Sequence, residues 1–92
     1  MAKIKLEKYV PATVAALAMI DENTITEHVR AVRASGEYND LLKRIVYDCG
    51  RAVRYWAIIA DESEANDSAV FSLLKKAFNI CFPRIYGELA AA

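Results

Sequence analysis

Three side chains in this sequence have the right types for nucleophilic or metal chemistry: His28, Cys49 and Cys81. A zinc site needs three or four ligands, and these residues lack the close spacing of a metal or redox motif. A cysteine nucleophile must be a thiolate, but both cysteines fall on apolar helical stripes, where burial disfavours the charged form. We therefore expect a structural histidine, two reduced core thiols, and neither a metal nor a cofactor. A disulfide between the two cysteines is an alternative only if the protein is in an oxidising compartment.

Acidic residues cluster in two segments that are predicted to be turns, Asp21-Glu22 and Asp61-Glu62 with Glu64. Carboxylates at such positions cap the free N–H groups of the next helix and interact favourably with its positive end. The three glycines are isolated from one another, so the chain has no glycine-rich phosphate loop. These patterns predict a protein that is not an enzyme.

The size and the charge of this chain limit the classes of partner that it can bind. It has 92 residues, of which 55% are hydrophobic, with twelve basic and twelve acidic side chains. Such a length predicts a single domain over residues 1–92. The hydrophobic fraction exceeds the ~45–50% of typical soluble domains, which leaves self-association open. A protein that coats nucleic acid normally has a basic excess, so nucleic acid is the less favoured partner.

The N-terminal region combines lysines with an apolar stretch from Val10 to Ile20, an outline shared with secretory signals. Pro11, the preceding Glu7 and the many alanines favour a folded helix instead. No segment reaches the ~20 apolar residues of a membrane span. We therefore predict a cytoplasmic protein that does not bind a membrane.

Proline, glycine and helix-capping residues divide the first part of the chain into short predicted helices. Residues 3–9 are compatible with a strand or with a first helical turn, and Pro11 suits the start of the helix that follows. Thr24, in a capping box with Glu27, is a candidate N-cap for the second helix, and Asp21 is the alternative. Gly36 ends this helix, because glycine adopts the left-handed C-terminal conformation at little cost.

The longest periodic pattern lies between residues 38 and 60. Apolar residues recur there at alternating steps of four and three, which predicts one long central helix from about 39 to 61. Its buried seam is predicted to contain Tyr38, Leu42, Ile45, Cys49, Ala52, Trp56 and Ile59. Gly50 on its flank favours the close approach of another helix.

A fourth amphipathic helix precedes Pro83, and residues 84–90 add a last turn or short helix. Its inward residues are predicted to be Val70, Phe71, Leu74, Ala77, Phe78 and Cys81, with Leu73 and Ile80 as a second stripe. Short connections between consecutive helices favour antiparallel packing. The fold class is therefore all-α, a small bundle of four to five helices around Tyr38, Trp56, Phe71, Phe78 and Phe82.

The outer face of the predicted long helix is the candidate binding surface. It mixes aromatic, aliphatic and basic residues, of which the predicted protein-binding set is Tyr47, Arg51, Arg54, Tyr55 and Ile58. Tyrosine and arginine are enriched among residues that dominate the energy of protein interfaces. Two alternatives remain open: a flanking helix of the same chain covers this face, or its rings stack on single-stranded nucleic acid.

Residues 13–38 offer an alternative of another class. Val14-Ala15 and Leu17, a turn at Ile20-Asp21, and a second helix with Ile25, Val29 and Val32 resemble the helix-turn-helix unit of winged-helix and related regulators. The resemblance implies that Asn23, Thr26, Arg30 and Arg33 face the major groove of DNA. A plain helical hairpin has most of the same apolar pattern.

These features together favour a non-catalytic helical binding protein, a small regulator or inhibitor that acts through a protein–protein interface. The patch around Tyr47 and Arg51 is its expected contact surface, with the arginines giving electrostatic orientation. A helix-turn-helix transcriptional regulator is the alternative. The residues do not identify the partner.

Overall fold

The computed structural model describes residues 6–53 and 67–91, and every regular element among them is a helix. A short 3-10 helix, Leu6–Tyr9, is followed by five α-helices. These are α1 (Val10–Leu17), α2 (Glu22–Ser35), α3 (Leu41–Ala52), α4 (Asp67–Cys81) and α5 (Pro83–Ala91). The prediction of a small all-α bundle is confirmed for this part of the chain.

The caps of α2 explain where it begins and ends. The side chain of Asp21 accepts a hydrogen bond from the Asn23 N–H at 3.2 Å, so Asp21 is the N-cap and Thr24 lies inside the helix. At the other end Gly36 has φ 67°, and its N–H donates hydrogen bonds to the carbonyl oxygens of Val32 and Arg33. The predicted glycine stop is confirmed, because this left-handed conformation suits glycine best.

Helix α3 is shorter than the helix predicted over 39–61. It begins after Asp40, whose side chain accepts from the Lys43 N–H at 3.1 Å, and it ends at Ala52 with Val53 as its C-cap. Residues 54–61, including Trp56 and Ile59 of the predicted seam, lie outside the described residues.

The buried side of α3 is also turned relative to the predicted seam. Its buried residues are Leu41, Ile45, Val46, Cys49 and Gly50. Leu42 is only half-buried and Ala52 is exposed. Tyr38 was predicted to be core, but it is 39% exposed, since it lies in the connector between α2 and α3 and not on the helix.

Helix α4 lies at the centre of the packing, and it contacts α1, α3, α5 and the 3-10 helix. Its buried residues are Val70, Leu73, Leu74, Ala77 and Phe78. Phe82, in the link to α5, is buried beside Phe78, with the two ring centroids 5.4 Å apart. Ile80, assigned to a second apolar stripe, is 54% exposed.

Helices α3 and α4 approach each other closely at Gly50. A Cβ atom built at Gly50 would lie 2.9 Å from Leu74 Cδ1, too close for an unadjusted contact. The expectation of a close helix approach at this glycine is confirmed. It also explains why the buried side of α3 extends toward Val46 and Gly50, since α4 packs there.

Candidate functional site

A surface groove runs along α3 and the connector before it; we call it the α3 groove. It encloses about 400 Å³, and its lining includes Tyr38, Lys43, Arg44, Tyr47, Asp48 and Arg51. Tyr47 and Arg51 belong to the predicted protein-binding set, so the structure places two of its five members in one groove. The other three, Arg54, Tyr55 and Ile58, lie outside the described residues.

Tyr47 is half-buried, and α4 covers part of its ring. The ring stacks on Phe71 with centroids 5.2 Å apart and planes at 22°. The Lys43 ammonium lies 5.8 Å from the Tyr47 centroid, and that of Lys75 lies 5.7 Å from Phe71. The alternative of intramolecular cover therefore applies to one side of Tyr47, while the residue still lines the groove.

Asp48 organises the basic side chains of the groove. Its Oδ2 accepts hydrogen bonds from His28 Nε2 at 2.7 Å and from Arg44 Nε at 2.9 Å. Arg51 Nη1 lies 3.9 Å from its Oδ1, and the Arg44 guanidinium also donates to the Glu37 carbonyl at 3.1 Å. Burial of the Asp48 carboxyl would raise its pKa, but the hydrogen bonds and charges of His28 and Arg44 outweigh burial and hold the pKa below 3.8.

Arg51 and Tyr38 are two exposed residues of the groove lining. The Arg51 side chain is 75% exposed, so its distant contact with Asp48 leaves most of the guanidinium in water. Tyr38 was not in the predicted binding set, because its spacing from Leu42 and Ile45 placed it in the seam. The glycine at position 36 is the sequence signal that could have assigned Tyr38 to a connector.

Burial disfavours the thiolate form of both cysteines. Burial, with a smaller contribution from the Asp48 charge, raises the pKa of the Cys49 thiol to about 11. Burial also raises the pKa of Cys81, whose Sγ donates to the Val14 carbonyl at 3.3 Å. Among residues 6–53 and 67–91, no three His, Cys, Asp or Glu side chains converge as metal ligands would.

The residues of the DNA-reading alternative lie on α2. Asn23, Arg30 and Arg33 are exposed, and the Thr26 hydroxyl donates to the Glu22 carbonyl at 3.1 Å. Among the residues that the structure describes, helix α1 packs mainly on α4, whereas α2 packs mainly on α3. A helix-turn-helix unit depends on close packing between its two helices. That pairing is not the main contact of either helix here.

In the described part of the chain, no helix combines the length and the apolar character needed to cross a bilayer. Searches against protein families, curated proteins and solved structures found no match to this chain.

Proposed function

We propose that this protein is a non-catalytic binding protein, a small regulator or inhibitor that occupies a partner protein's surface through the α3 groove. The observation that carries the proposal is that Tyr38, Tyr47 and Arg51 line the same groove. Tyrosine and arginine supply a large share of binding energy at protein interfaces, because each combines apolar area with hydrogen-bonding groups.

The charge of the α3 groove favours a protein partner over a polyanion. Its lining holds three basic side chains, Lys43, Arg44 and Arg51, and three acidic ones, Glu37, Asp40 and Asp48. Nucleic-acid surfaces are dominated by basic residues that neutralise phosphates. A balanced groove instead suits a surface that itself carries both signs.

Contacts within the protein hold two side chains of the α3 groove, Arg44 and Tyr47, in the absence of a partner. Asp48 and the Glu37 carbonyl hold the Arg44 guanidinium, and Phe71 holds the Tyr47 ring. Side chains that are already fixed lose less conformational entropy when they bind. The DNA-reading alternative lacks a comparable structural support, since α1 and α2 pack mainly on other helices.

The test compares proteins captured by the immobilised chain and by Tyr38→Ala/Arg51→Ala, with quantitative mass spectrometry. Both side chains are at the groove surface, so the melting temperature should change by only a few degrees. Loss of these two side chains should weaken the affinity for the captured partner by about 30-fold or more, which corresponds to about 2 kcal/mol of binding free energy. The matched control is Met19→Ala/Lys76→Ala, which removes an exposed apolar and an exposed basic side chain elsewhere.

A partner that binds through the α3 groove is retained by the control variant and lost by the groove variant. Equal capture by both variants would contradict the proposal. Sedimentation equilibrium of the wild type and of both variants shows separately whether the partner is a second copy of this chain. In that case self-association should weaken in Tyr38→Ala/Arg51→Ala and not in the control variant.

A further inference from the structure

A second groove lies between α2 and α5; we call it the α2–α5 groove. It encloses about 310 Å³. Three arginines line it, Arg30 and Arg33 from α2 and Arg84 from α5. The apolar part of its lining consists of Val29, Ile85 and Leu89, and the last two are each 4% exposed.

The arginines of this groove are not neutralised by the described part of the chain. Arg30 and Arg33 are exposed and form no hydrogen bond or ion pair with any described residue. Arg84 has a long contact of 3.5 Å with Glu22, and Glu88 is the single carboxylate in the lining. A positive excess therefore remains around an apolar strip.

This combination selects for carboxylates joined to an aliphatic group. A guanidinium binds a carboxylate through two parallel hydrogen bonds, and three guanidiniums can receive several carboxylates along a chain. An aliphatic side chain of the ligand would contact mainly the half-buried Val29 and remove its exposed surface from water, because Ile85 and Leu89 are already buried beneath it. Single-stranded nucleic acid fits less well, because the lining offers no aromatic ring for base stacking and places Glu88 against the phosphates.

We propose that the α2–α5 groove binds an acidic peptide segment that carries an aliphatic anchor residue. The positive excess and the apolar strip support this ligand whether or not the α3 groove has a partner.

A third cavity has lining residues in common with both grooves. Its lining shares Tyr38 with the α3 groove and shares Arg33 and Leu89 with the α2–α5 groove. If the proposed function holds, a single partner chain can therefore lie along both. This last step alone rests on the proposed function.

The test measures binding of a fluorescein-labelled peptide, Glu-Glu-Leu-Glu-Glu-Leu, by fluorescence anisotropy at low salt. The Arg30→Gln/Arg33→Gln variant should bind at least about tenfold more weakly, because it loses charge-assisted hydrogen bonds. Lys8→Gln/Lys76→Gln removes two exposed basic side chains that line neither groove and should stay within about twofold of the wild type. Melting temperatures of both variants check that the fold is intact.

Peptide variants distinguish the contribution of the arginines from that of the apolar lining. Replacing the glutamates by glutamine should weaken binding to wild type as much as the double arginine variant does. Replacing the leucines of the original peptide by alanine should also weaken its binding to the wild type. In Val29→Ser, most of the difference in affinity between the leucine and the alanine peptide should disappear.

Three results would overturn the proposal. These are no peptide binding by the wild type at low salt, an equal loss in Lys8→Gln/Lys76→Gln, and tighter binding of an oligonucleotide of similar charge than of the peptide. Failure of this test leaves the proposed function standing, since partner capture through the α3 groove depends on Tyr38 and Arg51.

Discussion

Asp48 accepts hydrogen bonds from side chains on two helices, His28 on α2 and Arg44 on its own helix. Its ionised form is therefore favoured in the folded protein, where its pKa lies below 3.8. A carboxyl group with a lowered pKa stabilises the fold fully above its unfolded-state pKa. That stabilisation is lost as the pH falls through the lower folded-state value.

Asp48→Asn should therefore lower the free energy of unfolding near pH 7 by about 1 kcal/mol, since the ion pairs are partly exposed and screened by water. The difference from wild type should shrink as urea unfolding is repeated at successively lower pH values below 3.8, because the wild-type carboxylate is then progressively protonated. Glu27→Gln is the control, an exposed carboxylate without a hydrogen bond or ion pair to a described residue. A difference that does not depend on pH would show that Asp48 acts through packing instead of charge.

At the scale of the element, glycine distinguishes a packed helix face from an open one. Gly50 on α3 faces the Leu74 side chain, which is 1% exposed, whereas a Cβ atom at Gly87 on α5 would meet nothing within 4 Å. Alanine improves helix propensity by up to about 1 kcal/mol at either site. Only at Gly50 does the added methyl group meet a packed neighbour.

Gly87→Ala should therefore stabilise the protein by about 0.5–1 kcal/mol, and Gly50→Ala should destabilise it by up to about 2 kcal/mol. Urea midpoints for the two variants, measured in one buffer, give the comparison. Equal stabilisation by both substitutions would mean that α3 and α4 do not approach each other as closely as described.

The elements also show which sequence rules were sufficient. Gly36 and the acidic caps are local signals, so the end of α2 and the alternative N-cap at Asp21 were predictable from neighbouring residues alone. The extent of α3 was not. Apolar spacing continues beyond Ala52 in the sequence, but periodicity does not record where a helix stops when neither glycine nor proline follows.

At the scale of the whole molecule, Phe78 is the largest fully buried side chain among the residues that the structure describes. It is 0% exposed and lies beside Phe82 on the helix that contacts most of the others. Removing its ring would leave a cavity that the surrounding helices fill only in part.

Phe78→Ala should lower the free energy of unfolding by about 3–5 kcal/mol, a large part of the stability of a domain this small. Ile80→Ala, on the same helix but 54% exposed, should cost less than about 1 kcal/mol. Urea unfolding measures both, with an unchanged slope confirming that the unfolded states are comparable. A small effect at Phe78 would place the core elsewhere.

Amphipathic spacing, capping residues and the scarcity of glycine and proline were enough to predict a helical bundle and to place Tyr47 and Arg51 on one helix face. These properties are local, since they depend on residues within one or two turns of each other. The tertiary structure alone decided that Tyr38 joins Tyr47 in a groove, that Phe71 covers one side of the Tyr47 ring, and that Arg84 lies near Arg30 and Arg33. Helical periodicity states which side of a helix is apolar, but which neighbour packs against it depends on contacts between residues far apart in the chain.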